Sequence, residues 1–139
     1  MYQLEVQINN LRINQLSKET FEWYISYLNT VDIKDLKSYS TYLSDNCIMQ
    51  INNNQPTEGK DSILKDLSSF WKSFDKVTHD LLNIYGNDYS FVLEALNHFI
   101  KNNGKHITIR AVAFTDRNNE GLVSSVRLYA DLSPLFSND

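Results

Sequence analysis

Apolar residues recur at helical spacing directly after Ser17, a residue type that often caps the start of a helix. Phe21, Tyr24, Ile25 and Leu28 stand at positions i, i+3, i+4 and i+7, so they would form one stripe on a helix surface. The pattern predicts a first helix whose stripe faces the protein interior.

Two more helices and a short strand are predicted in the first half of the chain. The second helix begins at Asp32, and its inward positions are Ile33, Leu36, Tyr39 and Leu43. The strand is indicated by the alternation of Cys47, Met49 and Ile51 with polar positions. The third helix follows Gly59 and carries a stripe made of Ile63, Leu64, Leu67, Phe70, Trp71 and Phe74.

The apolar period changes to two in the second half, which predicts strands at 79–85, 89–100, 106–115 and 122–130. The connections between them are short and rich in Asn and Gly, which tolerate the positive φ of hairpin turns. Short connections predict an antiparallel meander. Helices followed by a curled sheet indicate the α+β class.

The beginning of the chain is ambiguous, because residues 1–16 fit both the strand and the helix period. We expect them to form an arm that packs on the domain or on a partner subunit. Residues 17–139 contain no repeat and no linker, so we expect one domain there.

Composition narrows the functional classes. The net charge is −4 without a cluster of Lys or Arg, so we expect no nucleic acid partner. The lone Cys47 allows no internal disulfide, and neither a signal peptide nor a long apolar segment is present, so we expect a cytoplasmic protein without a membrane partner. The three His residues lack metal-binding spacing and the four Gly residues form no phosphate-binding loop, so no metal or cofactor is predicted.

Five short segments, in this order and spacing, resemble the nuclear transport factor 2-like superfamily, in its SnoaL-like and ketosteroid-isomerase-like branch. They are 23–29 followed by Asp32, 43–47, 59–63, 120–121 and 127–131. The resemblance covers about residues 18–136 and implies a cone-shaped α+β barrel, in which three N-terminal helices pack against a curved, mostly antiparallel sheet around a pocket. Such proteins include isomerases, cyclases, dehydratases, epoxide hydrolases and non-catalytic binding modules.

Two of the chemistries that the resemblance suggests do not match the residues. Tyr24 matches the oxyanion tyrosine of ketosteroid isomerases, but their base would fall near Ile51 or Asn52 and their second acid near Ala113. Limonene epoxide hydrolases need an Asp-Arg-Asp constellation; Asp131 matches its last member, but 94–98 contains no Arg. Neither reaction is predicted.

A third relative, scytalone dehydratase, resembles the first helix through Glu22-Trp23 and Ser26-Tyr27 and has a histidine at the position of His79. Its helix carries an Asp next to the Tyr where this chain has Leu28, so that mechanism is incomplete.

SnoaL-like cyclases give the best enzymatic match. They use the Asp of a Tyr-x-Asp motif as acid and base, and Asp131 holds that position. The role requires burial in an apolar cavity that raises the carboxyl pKa. The resemblance therefore implies that Asp131 exchanges a proton, His79 assists and Tyr24 polarises an oxygen. The structural alternatives are a carboxylate bonded to the backbone or to Arg127, a packed histidine and a packed core tyrosine.

Seven further residues are candidates for contacting a ligand. Arg127 and Tyr129 share the strand face of Asp131, and Glu94 shares a face with His98. The pair Glu94 and His98 has an ordinary alternative, cross-strand pairing with Lys or Arg. The cavity wall is expected to include Tyr27, Trp71 and Phe74.

Two functional hypotheses follow, and the sequence leaves both open. The first is an apolar pocket with cofactor-free acid and base chemistry on a carbonyl-containing or polycyclic ligand, of the isomerase or lyase type. The second is a non-catalytic, dimeric binding or association module with the same fold. A homodimer is expected in either case, because an apolar sheet face needs covering.

Overall fold

The computed structural model describes residues 16–138, so the predicted arm, apart from Leu16, lies outside the described residues. The first helix, α1 (Lys18–Asp32), begins at Ser17, whose hydroxyl accepts a hydrogen bond from the Thr20 amide at 3.1 Å. It continues to Asp32, so the predicted start of a second helix at Asp32 is wrong. Lys34 ends this region in the left-handed conformation, with φ of 56°.

A short second helix, α2 (Leu36–Ser40), follows the cap residue Asp35. Its Tyr39 is buried as predicted, whereas Ile33 precedes it and is 61% exposed. The inward position predicted for Ile33 is therefore wrong, because Ile33 lies in the connection between α1 and α2.

The buried face of α1 is rotated relative to the predicted stripe. Tyr24 and Leu28 are buried as predicted, but Phe21 and Ile25 are 40% and 41% exposed. Tyr27 takes the inward place instead, and its hydroxyl lies 2.8 Å from the hydroxyl of Tyr39. A tyrosine is buried favourably when its hydroxyl finds such a partner.

The remaining elements follow in the predicted order of strand, helix and four strands. They are β1 (Leu43–Ile51), β2 (Thr57–Glu58), α3 (Lys60–Trp71), β3 (Phe74–Asn87), β4 (Ser90–Lys101), β5 (His106–Arg117), β6 (Val123–Ala130) and a C-terminal turn of helix, α4 (Ser133–Phe136). Phe74 opens β3 instead of closing α3, since α3 ends at Trp71 with Lys72 as its C-cap.

The strands form one six-stranded sheet in the order β2-β1-β6-β5-β4-β3. Strands β3 to β6 make the predicted antiparallel meander, and β1 pairs with β6 in parallel. The turn between β3 and β4 requires Gly86, because a Cβ there would lie 2.3 Å from the Ser90 carbonyl oxygen. The sheet is curved and open, so the predicted cone-shaped α+β fold is confirmed.

Side chains alternate between the two faces of this sheet. The inner face, represented on β4 by Leu93, Ala95 and Phe99, belongs to the buried core. Helices α1 and α3 contribute the other side of that core through Tyr24, Leu28, Ile63 and Leu67. The outer face carries the alternate residues, such as Glu94 and His98 on β4.

Candidate functional site

A cavity of about 130 Å³ lies between the helices and the inner face of the sheet. Most of its wall is apolar, with contributions from helices, strands and the C-terminal segment, among them Leu28, Leu67, Phe99, Val126 and Leu132. The predicted wall residues Tyr27, Trp71 and Phe74 line it. Its polar lining is small and consists of Tyr24, Tyr27, Tyr39, His79, Asn97 and Thr115.

One predicted catalytic residue, His79, lies in this wall and pairs with a carboxylate that sequence reasoning did not assign to the site. The His79 Nδ1 atom is 2.5 Å from Asp32 Oδ1, and the two side chains are 12% and 25% exposed. The pairing joins β3 to the end of α1. Since a carboxylate only accepts hydrogen bonds, Nδ1 carries the proton of this contact and Nε2 is left for a second interaction.

The residue directly opposite His79 on the neighbouring strand β4 is Asn97. The two are direct partners in the register of β3 and β4, so their side chains lie on the same face. Asn97 Oδ1 is buried and has no hydrogen-bond partner in the described part of the chain. An asparagine within an alternating strand is easily taken for an outer-face residue. The signal that identifies it is its phase, two residues from the inward Ala95 and Phe99.

Three buried tyrosines supply protonated hydroxyl groups next to the cavity. Burial raises the pKa of Tyr24, while the Thr115 hydroxyl acts against that shift and Tyr39 adds to it. Burial also raises the pKa values of Tyr27 and Tyr39, whose hydroxyls are bonded to each other. Near neutral pH these phenols therefore act as hydrogen-bond donors. Thr115, which sequence reasoning did not select, is only 1% exposed.

Asp131 does not lie in the cavity, and the expected burial of its carboxylate is contradicted. Strand β6 ends at Ala130, and Asp131 is exposed in the connection to α4. Its Oδ1 accepts a hydrogen bond from the Ser133 amide at 3.0 Å. Hydrogen bonds from Ser133 hold the pKa of Asp131 below its usual value, the opposite of what a neutral-pH proton donor requires.

Arg127 and Tyr129 point to the outer face, so their predicted contact with the cavity is also corrected. Val126 and Leu128 take the inward positions of β6. Arg127 Nη1 lies 3.2 Å from Asp116 Oδ2, and Tyr129 is 44% exposed. The predicted common face of Arg127 and Tyr129 is present, but it is the other face of the sheet.

Glu94 and His98 lie on the same outer face and bond to other residues. Glu94 Oε2 accepts a hydrogen bond from Arg110 Nη1 at 3.0 Å. His98 Nδ1 is 2.8 Å from the Thr108 hydroxyl. The cross-strand alternative considered for Glu94 therefore describes it, and neither residue lines the cavity.

Several solved structures share this fold. A candidate SnoaL-like polyketide cyclase from Shewanella putrefaciens is 16% identical, with a TM-score of 0.72 over 84% of this chain and 93% of that one. SalBIII, an epoxide hydrolase/cyclase-like enzyme in pyran ring formation in the polyether salinomycin, is 16% identical, with a TM-score of 0.71 over 84% and 93%. An LEH-like epoxide hydrolase from M. tuberculosis is 13% identical, with a TM-score of 0.71 over 86% and 88%.

At these identities the similarity establishes the fold. The chain has the nuclear transport factor 2-like fold, and its predicted resemblance to SnoaL-like proteins is confirmed at that level. No family model and no curated protein matches the sequence.

Two kinds of feature are absent from residues 16–138. No helix in this range is long and apolar enough to cross a membrane. No group of three or more His, Cys, Asp or Glu side chains in this range is placed to hold a metal ion. The candidates for chemistry are His79 and the protonated Tyr24, which line the cavity, and Asp32, which is bonded to His79.

Proposed function

We propose that the protein binds a small carbonyl-containing molecule in this cavity and moves a proton with His79, without a cofactor. The observation that carries the proposal is the short contact between His79 Nδ1 and Asp32 in the wall of an otherwise apolar cavity. A carboxylate on Nδ1 orients the ring, fixes its tautomer and stabilises the protonated ring that would form.

The size of the cavity narrows the ligand class. A cavity of about 130 Å³ is close to the ~150 Å³ that accommodates benzene in an engineered protein. A single five- or six-membered ring therefore fits, whereas the polycyclic ligand considered from the sequence is too large for the cavity. We propose a monocyclic ketone, or an open-chain molecule of similar size.

The proposed step is proton transfer at the carbon next to the carbonyl. The carbon–hydrogen bond breaks, Nε2 of His79 takes the proton, and the electron pair moves to the carbonyl oxygen. Tyr24 is protonated and lines the same cavity, so its hydroxyl is the proposed donor to that oxygen. Return of the proton to the same or another carbon completes an exchange or an isomerisation.

Deuterium exchange into cyclopentanone in D2O tests this step. We expect the protein to accelerate exchange at the carbons beside the carbonyl, and His79→Gln to lose about 10²–10⁴-fold of that acceleration, the usual range for a general base. Asp32→Asn should lower the rate by a smaller factor. Asp131→Asn is the matched control, because this exposed carboxylate lies outside the cavity, and it should exchange at the wild-type rate. An unaccelerated wild type, or an unaffected His79→Gln variant, contradicts the proposal.

We also propose that a second copy of the chain covers the outer face of the sheet. Exposed apolar side chains gather there: Ile48, Phe114 and Tyr129 are 40%, 36% and 44% exposed. Phe114 and Tyr129 contact each other with ring centroids 6.0 Å apart. Sedimentation at micromolar concentration should give a dimer, and Tyr129→Lys should shift it to monomer by placing two like charges in the interface. A wild-type monomer at that concentration overturns this proposal.

A further inference from the structure

The side-chain oxygen of Asn97 is a buried acceptor without a donor. It is the single buried side-chain nitrogen or oxygen atom in residues 16–138 that lacks a hydrogen-bond partner. Buried polar atoms of folded proteins are nearly always paired, because an unpaired acceptor loses its hydration without compensation. An exception of this kind calls for a partner that is absent from the protein itself.

The position of Asn97 indicates where that partner would lie. Asn97 is part of the cavity wall and stands directly opposite His79 in the pairing of β3 with β4. The Cβ atoms of directly opposed residues in antiparallel strands are about 4.5–5.5 Å apart. A molecule in the cavity can therefore touch both side chains through polar atoms on neighbouring carbons.

We infer that the ligand of this cavity carries a hydroxyl group that donates a hydrogen bond to Asn97 Oδ1. This deepens the proposed function, since it assigns the substrate class as a monocyclic compound with a hydroxyl beside its reacting carbon. The inference depends on the cavity being a ligand site, but it does not depend on proton transfer by His79. Asn97 is accordingly a specificity-determining residue.

The rest of the cavity wall is mostly apolar, so a polar group of the ligand finds few hydrogen-bond partners other than Asn97. Around Asn97 the inner face presents Phe99 on the same strand and Ile109, the direct partner of Asn97 on β5, neither of which has a side-chain donor. A hydroxyl placed away from Asn97 would meet mostly apolar surface and lose its hydration. The site should therefore discriminate between ligands of equal size according to whether they have a donor.

Binding of phenol and fluorobenzene, two rings with the same number of heavy atoms, tests the inference. Only phenol has a donor. We expect Asn97→Leu, which keeps the size of the side chain and removes the acceptor, to weaken phenol binding by about 2- to 10-fold, the range for one neutral hydrogen bond. Fluorobenzene binding should stay the same or tighten. Affinities from ligand-observed NMR titration give the ratio directly.

The control is Asn83→Leu, the same substitution at an exposed position of the neighbouring strand, which should leave both affinities unchanged. Equal weakening of both ligands by Asn97→Leu would assign Asn97 a structural role and overturn the inference. Unchanged affinities for both ligands in Asn97→Leu would mean that the ligand makes no hydrogen bond to Oδ1, and would also overturn it. If Asn97→Leu does not fold, Asn97→Ala supplies the same ratio.

The two proposals can fail separately. If the phenol-to-fluorobenzene affinity ratio shifts as expected but cyclopentanone is not exchanged, the inference on Asn97 is supported and the proposed proton transfer is contradicted. If neither ring binds to the wild type, the cavity is not a site for monocyclic ligands and the inference on Asn97 fails with it.

Discussion

Polar side chains on the two faces of the sheet differ in how completely they are hydrogen-bonded. On β4, Asn97 and His98 are adjacent in sequence, yet Asn97 Oδ1 has no partner in the described residues whereas His98 is bonded to Thr108 and lies 3.6 Å from Asp80. On the outer face the charged groups largely satisfy one another. The inner face has few polar groups. Those that line the apolar cavity include atoms that can still form a hydrogen bond. That spare hydrogen-bonding capacity locates the candidate site better than the number of charged residues does.

The aromatic residues show the same contrast. Phe99 on the inner face is 4% exposed and meets the Phe74 ring edge-on at 5.0 Å. Phe114 on the outer face is 36% exposed, and Arg127 lies over its ring at 5.2 Å. The inner ring is part of the core, and the outer ring remains available for a further contact.

The largest expected effect is a difference in stability between two identical substitutions. Phe99→Ala should lower the free energy of unfolding by about 3–5 kcal/mol, because it removes a buried ring that packs against Phe74. Phe114→Ala should cost about 1 kcal/mol or less at a concentration where the chain is monomeric, because its ring is already partly in water. Urea denaturation of both variants measures the difference. Equal losses would show that the two faces are not distinct in packing.

The second expected effect is a loss of stability at alkaline pH, caused by the buried tyrosines next to the cavity. Burial raises the pKa values of Tyr24, Tyr27 and Tyr39, so the folded protein holds these protons more tightly than the unfolded chain does. The contribution to stability is therefore complete below pH ~10 and falls as the pH rises further, by about 1.4 kcal/mol per tyrosine for each pH unit. The buried Cys47 thiol, whose pKa burial raises to about 11, adds a loss of the same sign.

Urea denaturation between pH 8 and 11.5 measures this slope. Tyr39→Phe removes one titrating group, so it should reduce the steepness of the alkaline loss even though it lowers stability at pH 8 by taking away the partner of Tyr27. A slope that does not change in this variant would argue against a tyrosine origin.

The fold was accessible from sequence because its strongest signals are local. Alternation over the last four strands and Asn-Gly turns between them depend on neighbouring residues only, and the structure has those strands. The predicted start of the second helix is wrong for a similar reason. Asp32 is a residue type that begins helices, and nothing local shows that it is held at the end of α1, where its carboxylate meets His79.

The candidate site was less accessible, because its key contacts join distant parts of the chain. Two features depend on tertiary packing: the contact between Asp32 and His79, and the missing hydrogen-bond partner of Asn97 Oδ1. The sequence misplaces Asp131 for two reasons: β6 ends before it, and the face shared by Arg127 and Tyr129, to which the alternation assigns it, is the outer one. The Asn52 side chain bonds both the amide and the carbonyl of Ala130, at 3.0 and 2.8 Å, and β6 ends there.

The parallel pairing of β1 with β6 has a consequence for biosynthesis. Leu43 is paired with Val123 and Ile51 with Leu128, so one edge of β1 stays open until the ribosome has made the last strand. At ordinary translation speeds that interval is on the order of ten seconds. During this time Ile48 and Met49 lack their β6 neighbours, Ser125 and Val126, so we expect the nascent chain to be a client for a chaperone.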